Sequence, residues 1–187
     1  MNEYVTRQEL DIFLKALAFA AEMHTGQVKK SCGKLPYINH PIKVAGLLSS
    51  ISPKKDITLL VAALLHDVLE KTAADPAGIK AAFGKDVLVI VREVTDDRSL
   101  PDTERKQRQI ESAGRLSPAA KKIRLADKIC NMRDIMTYPL GWSRQRKLAY
   151  LEFAGKLAAE LRGTDKMLER IFHREHSAAV RAIRGGE

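Results

Sequence analysis

Apolar residues recur every three to four positions along most of the chain, which is the spacing of one face of an α-helix. The first stripe follows a capping box, Thr6-Arg-Gln-Glu9, and consists of Leu10, Phe13, Leu14, Leu17 and Ala21. No alternating apolar and polar runs, internal repeats or low-complexity linkers interrupt this pattern. The pattern predicts an all-α single domain over residues 1–187, built from about eight to ten helices.

Proline, glycine and small polar residues predict where the helices begin and end. Ser52-Pro53 is expected to cap a helix that runs into His66-Asp67, with proline at its favoured first position. Residues 86–95 form an amphipathic stretch that predicts a helix, although Val87–Val91 is also compatible with a strand. The remaining predicted helices begin at Pro41, Asp75-Pro76, Asp102, Ser117-Pro118, Ser143 and Thr164 or Asp165.

Composition predicts a soluble globular protein. Apolar residues make up 45% of the 187 positions and charged residues 29%, with a mean hydropathy of −0.23. The longest apolar stretch, Leu59–Leu65, is far too short to span a bilayer. No basic start followed by an apolar stretch is seen, so a secretory signal is not expected. The two cysteines, Cys32 and Cys130, fit neither a metal spacing nor a disulfide framework, which favours a reducing cytoplasm.

The net charge of +9 and the isoelectric point near 9.6 favour an anionic partner. The alternative is simply a solvated basic surface. Aromatic residues are only 5% of the chain and show no RNA-binding signature, so a phosphorylated nucleotide is expected rather than a polymeric nucleic acid. Nothing in the sequence marks an oligomeric interface, so the oligomeric state stays open.

Two histidines and two aspartates lie in segments that read as buried and apolar: His40, His66, Asp67 and Asp127. Buried imidazole and carboxylate groups need partners, because unpaired buried charge is very costly. A divalent metal satisfies all four groups at once. The alternative of four unrelated, individually satisfied polar residues is weaker, because the His-Asp pair sits inside an apolar helix. His24, His173 and His176 are taken as capping or core histidines.

Further polar residues share the faces of these candidate ligands. Glu70 lies one helical turn after His66 and Asp67, and Asn131 lies one turn after Asp127. Mixed nitrogen and oxygen ligation without thiolate suits Mn²⁺, Fe²⁺, Mg²⁺ or Zn²⁺ in an open site, not a closed structural zinc site. Such a site can activate a water and polarise phosphorus, so the sequence predicts a metallohydrolase.

Several segments together make the chain resemble the HD-domain phosphohydrolases, and among them the small alarmone hydrolases related to the hydrolase half of RelA/SpoT proteins and to the metazoan SpoT homologue. The resemblance runs from about residue 6 to residue 172. The matching segments are His24-Thr-Gly-Gln27, Pro36-Tyr-Ile-Asn-His-Pro41, Ala63-Leu-Leu-His-Asp-Val68, Glu104-Arg-Lys106, Leu125-Ala-Asp-Lys128, Asn131-Met-Arg-Asp134 and Gly141-Trp-Ser143 with Arg146 and Tyr150.

The resemblance implies an HD-type helical bundle with a single Mn²⁺, although another divalent metal is possible. His40, His66, Asp67 and Asp127 match the family's metal ligands. The implied activity is removal of the 3′-pyrophosphate from purine nucleotide alarmones such as (p)ppGpp or (p)ppApp, with release of pyrophosphate. The family also implies catalytic roles for Glu70 and Asn131, and substrate contacts from Lys29, Lys30, Lys106, Arg146 and Tyr150. For Lys106, a solvated surface role is nearly as good an interpretation.

The chain departs from the family at two positions. The family's motif ends in a Glu-Asp pair, whereas this chain has Glu70-Lys71. Glu70 alone can serve as the acid/base group, Lys71 can instead clamp a phosphate, or Lys71 can form an ordinary i,i+4 ion pair with Asp67 that competes with metal ligation. At the second position Lys29 replaces a common arginine, so the base can be read differently.

Three other functions stay open at this stage. A catalytically weakened sensor that binds nucleotide without hydrolysis is suggested by Lys71. The metazoan members of the family imply an NADPH 2′-phosphatase. A polynucleotide-binding helical protein is suggested only by the charge. The base, the number of 5′ phosphates and the effect of Lys71 on turnover are not fixed by the sequence.

Overall fold

Ten α-helices make up the part of the chain that the computed structural model describes, residues 5–29, 35–52, 56–138 and 141–185. Those residues contain no extended strand, so the predicted all-α class is confirmed. They divide into two compact units, one drawn from Met1–Gln27 and Pro36–Asp97 and the other from Val28–Leu35 and Arg98–Glu187. The single-domain organisation stays a prediction.

Side-chain caps start most of the helices where the sequence predicted them. Thr6 and Glu9 form the complete capping box, and Asp75, Ser117 and Ser143 each accept hydrogen bonds from the first turn of the following helix. Asp165 accepts from the backbone N–H groups of Met167 and Leu168, which decides between the two caps predicted for the last helix. Local polar chemistry therefore sets these boundaries.

The prediction that Ser52-Pro53 caps a helix was wrong. Ser52 instead ends the preceding helix in an extended conformation, and the next helix begins at Ile57. Its cap is Asp56, whose carboxylate accepts from the backbone N–H of Leu59. Asp56 lies directly before the helix and caps it in place of Ser52. Pro53 lies outside the described residues.

The first unit contains α1 (Arg7–Met23), α2 (Asn39–Ile51), α3 (Ile57–Leu65), α4 (Val68–Lys71), α5 (Pro76–Phe83) and α6 (Lys85–Glu93). Helix α3 lies at its centre, packed against α1, α2 and α6. Every residue from Leu59 to Leu65 is buried, as expected for a helix surrounded by others. The alternative strand over Val87–Val91 was wrong, because Val87, Leu88 and Val91 face the core of this unit at helical spacing.

The second unit contains α7 (Asp102–Ala113), α8 (Pro118–Thr137), α9 (Arg144–Glu160) and α10 (Lys166–Gly185). Helix α8 packs against α9 and α10, and it buries several charged side chains besides its apolar ones. These are Arg124, Asp127, Lys128 and Asp134. Because buried charges are costly unless they are paired, these side chains need polar partners within the fold. No described helix is both long and apolar enough to cross a membrane.

Candidate metal centre and substrate-binding residues

Three of the four predicted metal ligands converge in the first unit. His40, from the first turn of α2, and His66 and Asp67, from the junction between α3 and α4, offer ligand atoms that all lie within 4.8 Å of one another. His66 Nε2 lies 3.2 Å and His40 Nε2 lies 3.8 Å from Asp67 Oδ2. We call these three residues the triad. They are buried, with 3 to 4% of their surface exposed.

The break between α3 and α4 explains how sequence neighbours reach one point. Helix α3 ends at Leu65 and α4 begins at Val68, so His66 and Asp67 lie at the junction of two helices, where both side chains can reach one point. His66 Nδ1 lies 2.8 Å from the carbonyl oxygen of Ala63. Because a carbonyl only accepts, Nδ1 carries a proton, which leaves Nε2 as the nitrogen available to a metal. The triad therefore fits a divalent metal.

Asp67 stays ionised despite its burial. Burial acts to raise its pKa, but the fields of His66, Lys71 and His40 outweigh it and hold the pKa well below the ordinary value. Lys71 Nζ lies 2.6 Å from Asp67 Oδ1, which confirms the i,i+4 ion pair predicted from the sequence. The Tyr37 hydroxyl donates to Asp67 Oδ2. The Lys71 ammonium and the Tyr37 hydroxyl thus both stabilise the anionic form of Asp67.

Glu70 lies in α4, three residues after Asp67, and its carboxyl group is largely shielded from water. Burial raises the pKa of its carboxyl group; Lys71 opposes that shift, and the charges of Asp67 and Asp96 add to it. Its Oε2 accepts a hydrogen bond of 3.3 Å from the backbone N–H of Asp96. A carboxylate with a raised pKa is a better base than a solvated one.

Tyr37, His24 and Gln27 support this region, and the sequence reasoning gave none of them such a role. The His24 and Tyr37 rings lie 4.8 Å apart, and His24 Nδ1 lies 2.9 Å from Gln27 Oε1. Gln27 Nε2 donates to the carbonyl of Lys71 at 2.8 Å, which ties α4 to the end of α1. The sequence did indicate that these residues matter, because all three fall in the segments that carry the family resemblance.

Asp127, the fourth predicted ligand, lies on α8 in the second unit, and its place as a ligand stays a prediction. Its side chain is largely buried and makes close polar contacts with neighbours on the same helix. Asn131 Nδ2 donates to Oδ1 at 2.6 Å, which confirms that these residues share a face, and Lys128 Nζ donates to Oδ2 at 2.8 Å. The Lys128 ammonium also lies 5.3 Å from the centre of the Phe153 ring. Asp127 therefore belongs to an ordered polar cluster.

Lys29 is held by the same cluster. Its ammonium lies 2.8 Å from Asn131 Oδ1 and 2.5 Å from Asp134 Oδ2. The Lys29 side chain is 12% exposed and that of Asp134 is 3% exposed, so the pair is largely shielded from water. The predicted substrate contact of Lys29 stays a prediction, while Lys30 lies outside the described residues.

Arg146 and Tyr150 both lie close to the ring of Trp142. The Arg146 guanidinium lies 4.3 Å from the centre of the Trp142 ring, and the Trp142 and Tyr150 rings are 6.0 Å apart. Burial raises the pKa of Tyr150 well above its ordinary value, and the Asp127 charge adds to this effect. Tyr150 is therefore a neutral hydrogen-bonding group at neutral pH.

Lys106 differs from the other predicted substrate contacts in its exposure. Its ammonium pairs with Asp102 at 2.7 Å, one turn earlier on α7, and its side chain is 39% exposed. The ammonium also lies 5.8 Å from the Phe153 ring centre. This geometry suits a surface ion pair as well as a mobile phosphate contact.

Comparisons with known proteins agree on one family. Residues 16–157 match the model of the HD domain family. The chain is 46% identical to a protein of Xenopus tropicalis and 45% identical to one of Homo sapiens, both named guanosine-3′,5′-bis(diphosphate) 3′-pyrophosphohydrolase MESH1. These alignments cover 84% and 83% of this chain and 89% and 88% of those proteins. A solved structure, described as a metazoan orthologue of SpoT that hydrolyses ppGpp, superposes with a TM-score of 0.86. It is 40% identical, and the match covers 94% of this chain and 97% of that one.

Proposed function

Because the chain belongs to the HD domain family, we propose that it is a divalent-metal-dependent hydrolase that removes the 3′-pyrophosphate from purine nucleotide alarmones. The substrate class comes from the names of its relatives, which specify guanosine 3′,5′-bis(diphosphate). The metal proposed is Mn²⁺, held by the triad with Asp127 as the fourth ligand. The proposed compartment is the cytoplasm, as the cysteine usage predicts.

The observation that carries this proposal is the buried triad followed by Glu70. Three metal-binding side chains within 4.8 Å of one another are what an open catalytic metal site requires. A carboxylate whose pKa is raised by burial follows one turn later. This arrangement pairs metal-ligating groups with a base, which a purely structural metal site does not need.

The proposed reaction uses one water and breaks one phosphorus–oxygen bond. A divalent ion, if held by His40, His66 and Asp67, would supply Lewis acidity for this hydrolysis. Glu70 accepts the proton of the attacking water, whose oxygen bonds to the phosphorus attached to the 3′-oxygen. The bond between that phosphorus and the 3′-oxygen breaks, the 3′-oxygen takes up a proton, and pyrophosphate is released. The nucleoside 5′-phosphates are unchanged.

The second unit supplies cations and hydrogen bonds for an anionic nucleotide. Arg146 is placed by its stacking on Trp142, and Tyr150 stays neutral in its buried position. Asn131 donates to Asp127 and accepts from Lys29, so it holds both of them in place. Together with the net charge of +9, these groups favour a highly charged anion. We propose that Lys29, Lys30, Lys106, Arg146 and Tyr150 bind the substrate.

Pyrophosphate release tests this function. The purified protein is assayed with 3′-pyrophosphorylated guanine and adenine nucleotides and with NADPH, each with Mn²⁺, Mg²⁺ or chelator. The proposal predicts metal-dependent release of pyrophosphate from at least one purine alarmone. Phosphate release from NADPH alone, or no turnover with any metal, would contradict it.

A nucleotide sensor without turnover is the second candidate, favoured by the contact between Lys71 and Asp67. That contact places an ammonium where the resembled family has a carboxylate. Strong pyrophosphate release by the unaltered protein excludes the sensor. Release that appears only in Lys71→Asp, with nucleotide binding by both proteins, supports it.

A further inference from the structure

Lys71 contacts the triad through a closed ring of hydrogen bonds. Its ammonium lies 2.6 Å from Asp67 Oδ1 and 2.6 Å from the Tyr37 hydroxyl oxygen, and that hydroxyl in turn donates to Asp67 Oδ2. The ammonium also lies 5.0 Å from the centre of the Tyr37 ring. The Lys71 side chain is 30% exposed, against 6% for Asp67, so the lysine covers the outer side of a buried carboxylate.

The two oxygens of Asp67 have different neighbours. Oδ2 faces the Nε2 atoms of His66 and His40, whereas Oδ1 faces the Lys71 ammonium. Water does little to balance the charge of so buried a group, and an uncompensated buried charge is very costly. A divalent metal and the ammonium therefore compensate the same negative charge from two sides.

We propose that Lys71 is an internal counter-cation that weakens the affinity of the triad for divalent metal. This inference rests on the proposed function only in taking the triad as a metal site. Two cations on one carboxylate repel each other, and at the effective dielectric of a protein this repulsion amounts to at least about a tenfold loss of metal affinity. In the metal-free protein, the same ammonium balances the negative charge of Asp67.

A different role for Lys71 predicts the opposite sign. A group that only orients a metal ligand strengthens metal binding, and removing such a group commonly lowers the affinity by about 10- to 100-fold. Charge compensation predicts that removing the ammonium raises the affinity. The direction of the change therefore decides between the two roles without any measurement of activity.

The experiment is a Mn²⁺ titration of the chelator-treated full chain, followed by calorimetry or by the electron paramagnetic resonance signal of free Mn²⁺. Lys71→Gln removes the charge but keeps a hydrogen-bond donor, and Lys71→Met removes both. Lys71→Arg keeps the charge. Lys156→Gln is the matched control, because Lys156 forms an i,i+4 pair with Glu152 at 2.7 Å on an exposed surface. Thermal melting of each metal-free variant establishes that it is folded.

We expect Lys71→Gln and Lys71→Met to bind Mn²⁺ at least about tenfold more tightly than the unaltered chain, with Lys71→Arg and Lys156→Gln unchanged. Unchanged or weaker binding by the two neutral variants would overturn the proposal, and either variant decides it if the other fails to fold. If the unaltered chain and both neutral variants bind no Mn²⁺, the proposed metal site fails as well. If the chain binds Mn²⁺ but the neutral variants bind it no more tightly, only the role of Lys71 fails.

Discussion

The Lys29 ammonium lies 2.5 Å from Asp134 Oδ2, and the two side chains are 12% and 3% exposed. The family resemblance implies that Lys29 contacts the substrate, and in the structure Lys29 also balances a buried carboxylate on α8. Asn131 accepts a second hydrogen bond from the same ammonium. The interaction therefore links the segment around Lys29 to the polar cluster around Asp127.

Breaking this pair should destabilise the protein. Lys29→Met removes a closely placed cation from the buried Asp134, so the free energy of unfolding should fall by about 3 kcal/mol. Lys29→Met combined with Asp134→Leu should recover more than half of that loss, because the buried charge is removed together with its cation. Urea unfolding followed by circular dichroism measures both values. A loss below about 1 kcal/mol, the range of exposed pairs, would contradict this prediction.

Glu70→Gln should separate proton transfer from metal binding. The amide cannot accept the proton of the attacking water, so kcat should fall by about 10²- to 10⁴-fold. Mn²⁺ affinity should change little, since Glu70 is not proposed as a ligand. Steady-state pyrophosphate release and a Mn²⁺ titration of the same preparation provide the two readouts. Nearly full turnover by Glu70→Gln would show that another group removes the proton.

Arg146→Lys should weaken substrate binding more than it slows the chemical step. Lysine keeps the charge but loses the planar fork that lies 4.3 Å from the Trp142 ring centre. Because the two cations differ in shape and hydrogen bonding, KM should rise by about tenfold with kcat nearly unchanged. Arg108→Lys, in the exposed pair with Glu104, is the control and should behave like the unaltered chain. An equal effect of both changes would argue against a specific role for Arg146.

His24 should make the protein less stable in acid. Burial lowers its pKa from 6.5, and the hydrogen bond to Gln27 only partly opposes this shift. The unfolded chain therefore binds a proton more readily, so the free energy of unfolding should fall as the pH drops below about 6.5. In His24→Gln that dependence should weaken between pH values of about 7.5 and 5.5. Identical slopes for both proteins in urea unfolding would contradict the prediction.

The helix boundaries show what local chemistry determines. Ser117 and Ser143 were predicted as caps and are caps, because a cap depends on a few adjacent residues. Ser52 was a wrong prediction, because Asp56 competes for the same role a few residues later. Buried apolar runs were harder to assign, and the ambiguity over Val87–Val91 was settled only by their packing on α3.

In the candidate site, too, some contacts could be predicted from the local sequence and others depend on the tertiary fold. The triad could be predicted because His40, His66 and Asp67 lie in apolar segments, where polar groups need a partner. The contact of Lys71 with Asp67 followed from i,i+4 spacing. The hydroxyl of Tyr37 and the amide of Gln27 reach α4 across a long stretch of sequence, and no local rule predicts such contacts.

The metal content of the purified protein tests the central claim most directly. The chain, His66→Ala and Asp127→Ala are loaded with Mn²⁺, freed of excess metal and measured by mass spectrometry of the elements, with circular dichroism to verify folding. The account predicts a single bound ion in the unaltered chain. It predicts that both variants lose this ion and no longer release pyrophosphate. Hydrolysis by metal-free protein, or full metal occupancy in folded His66→Ala, would contradict it.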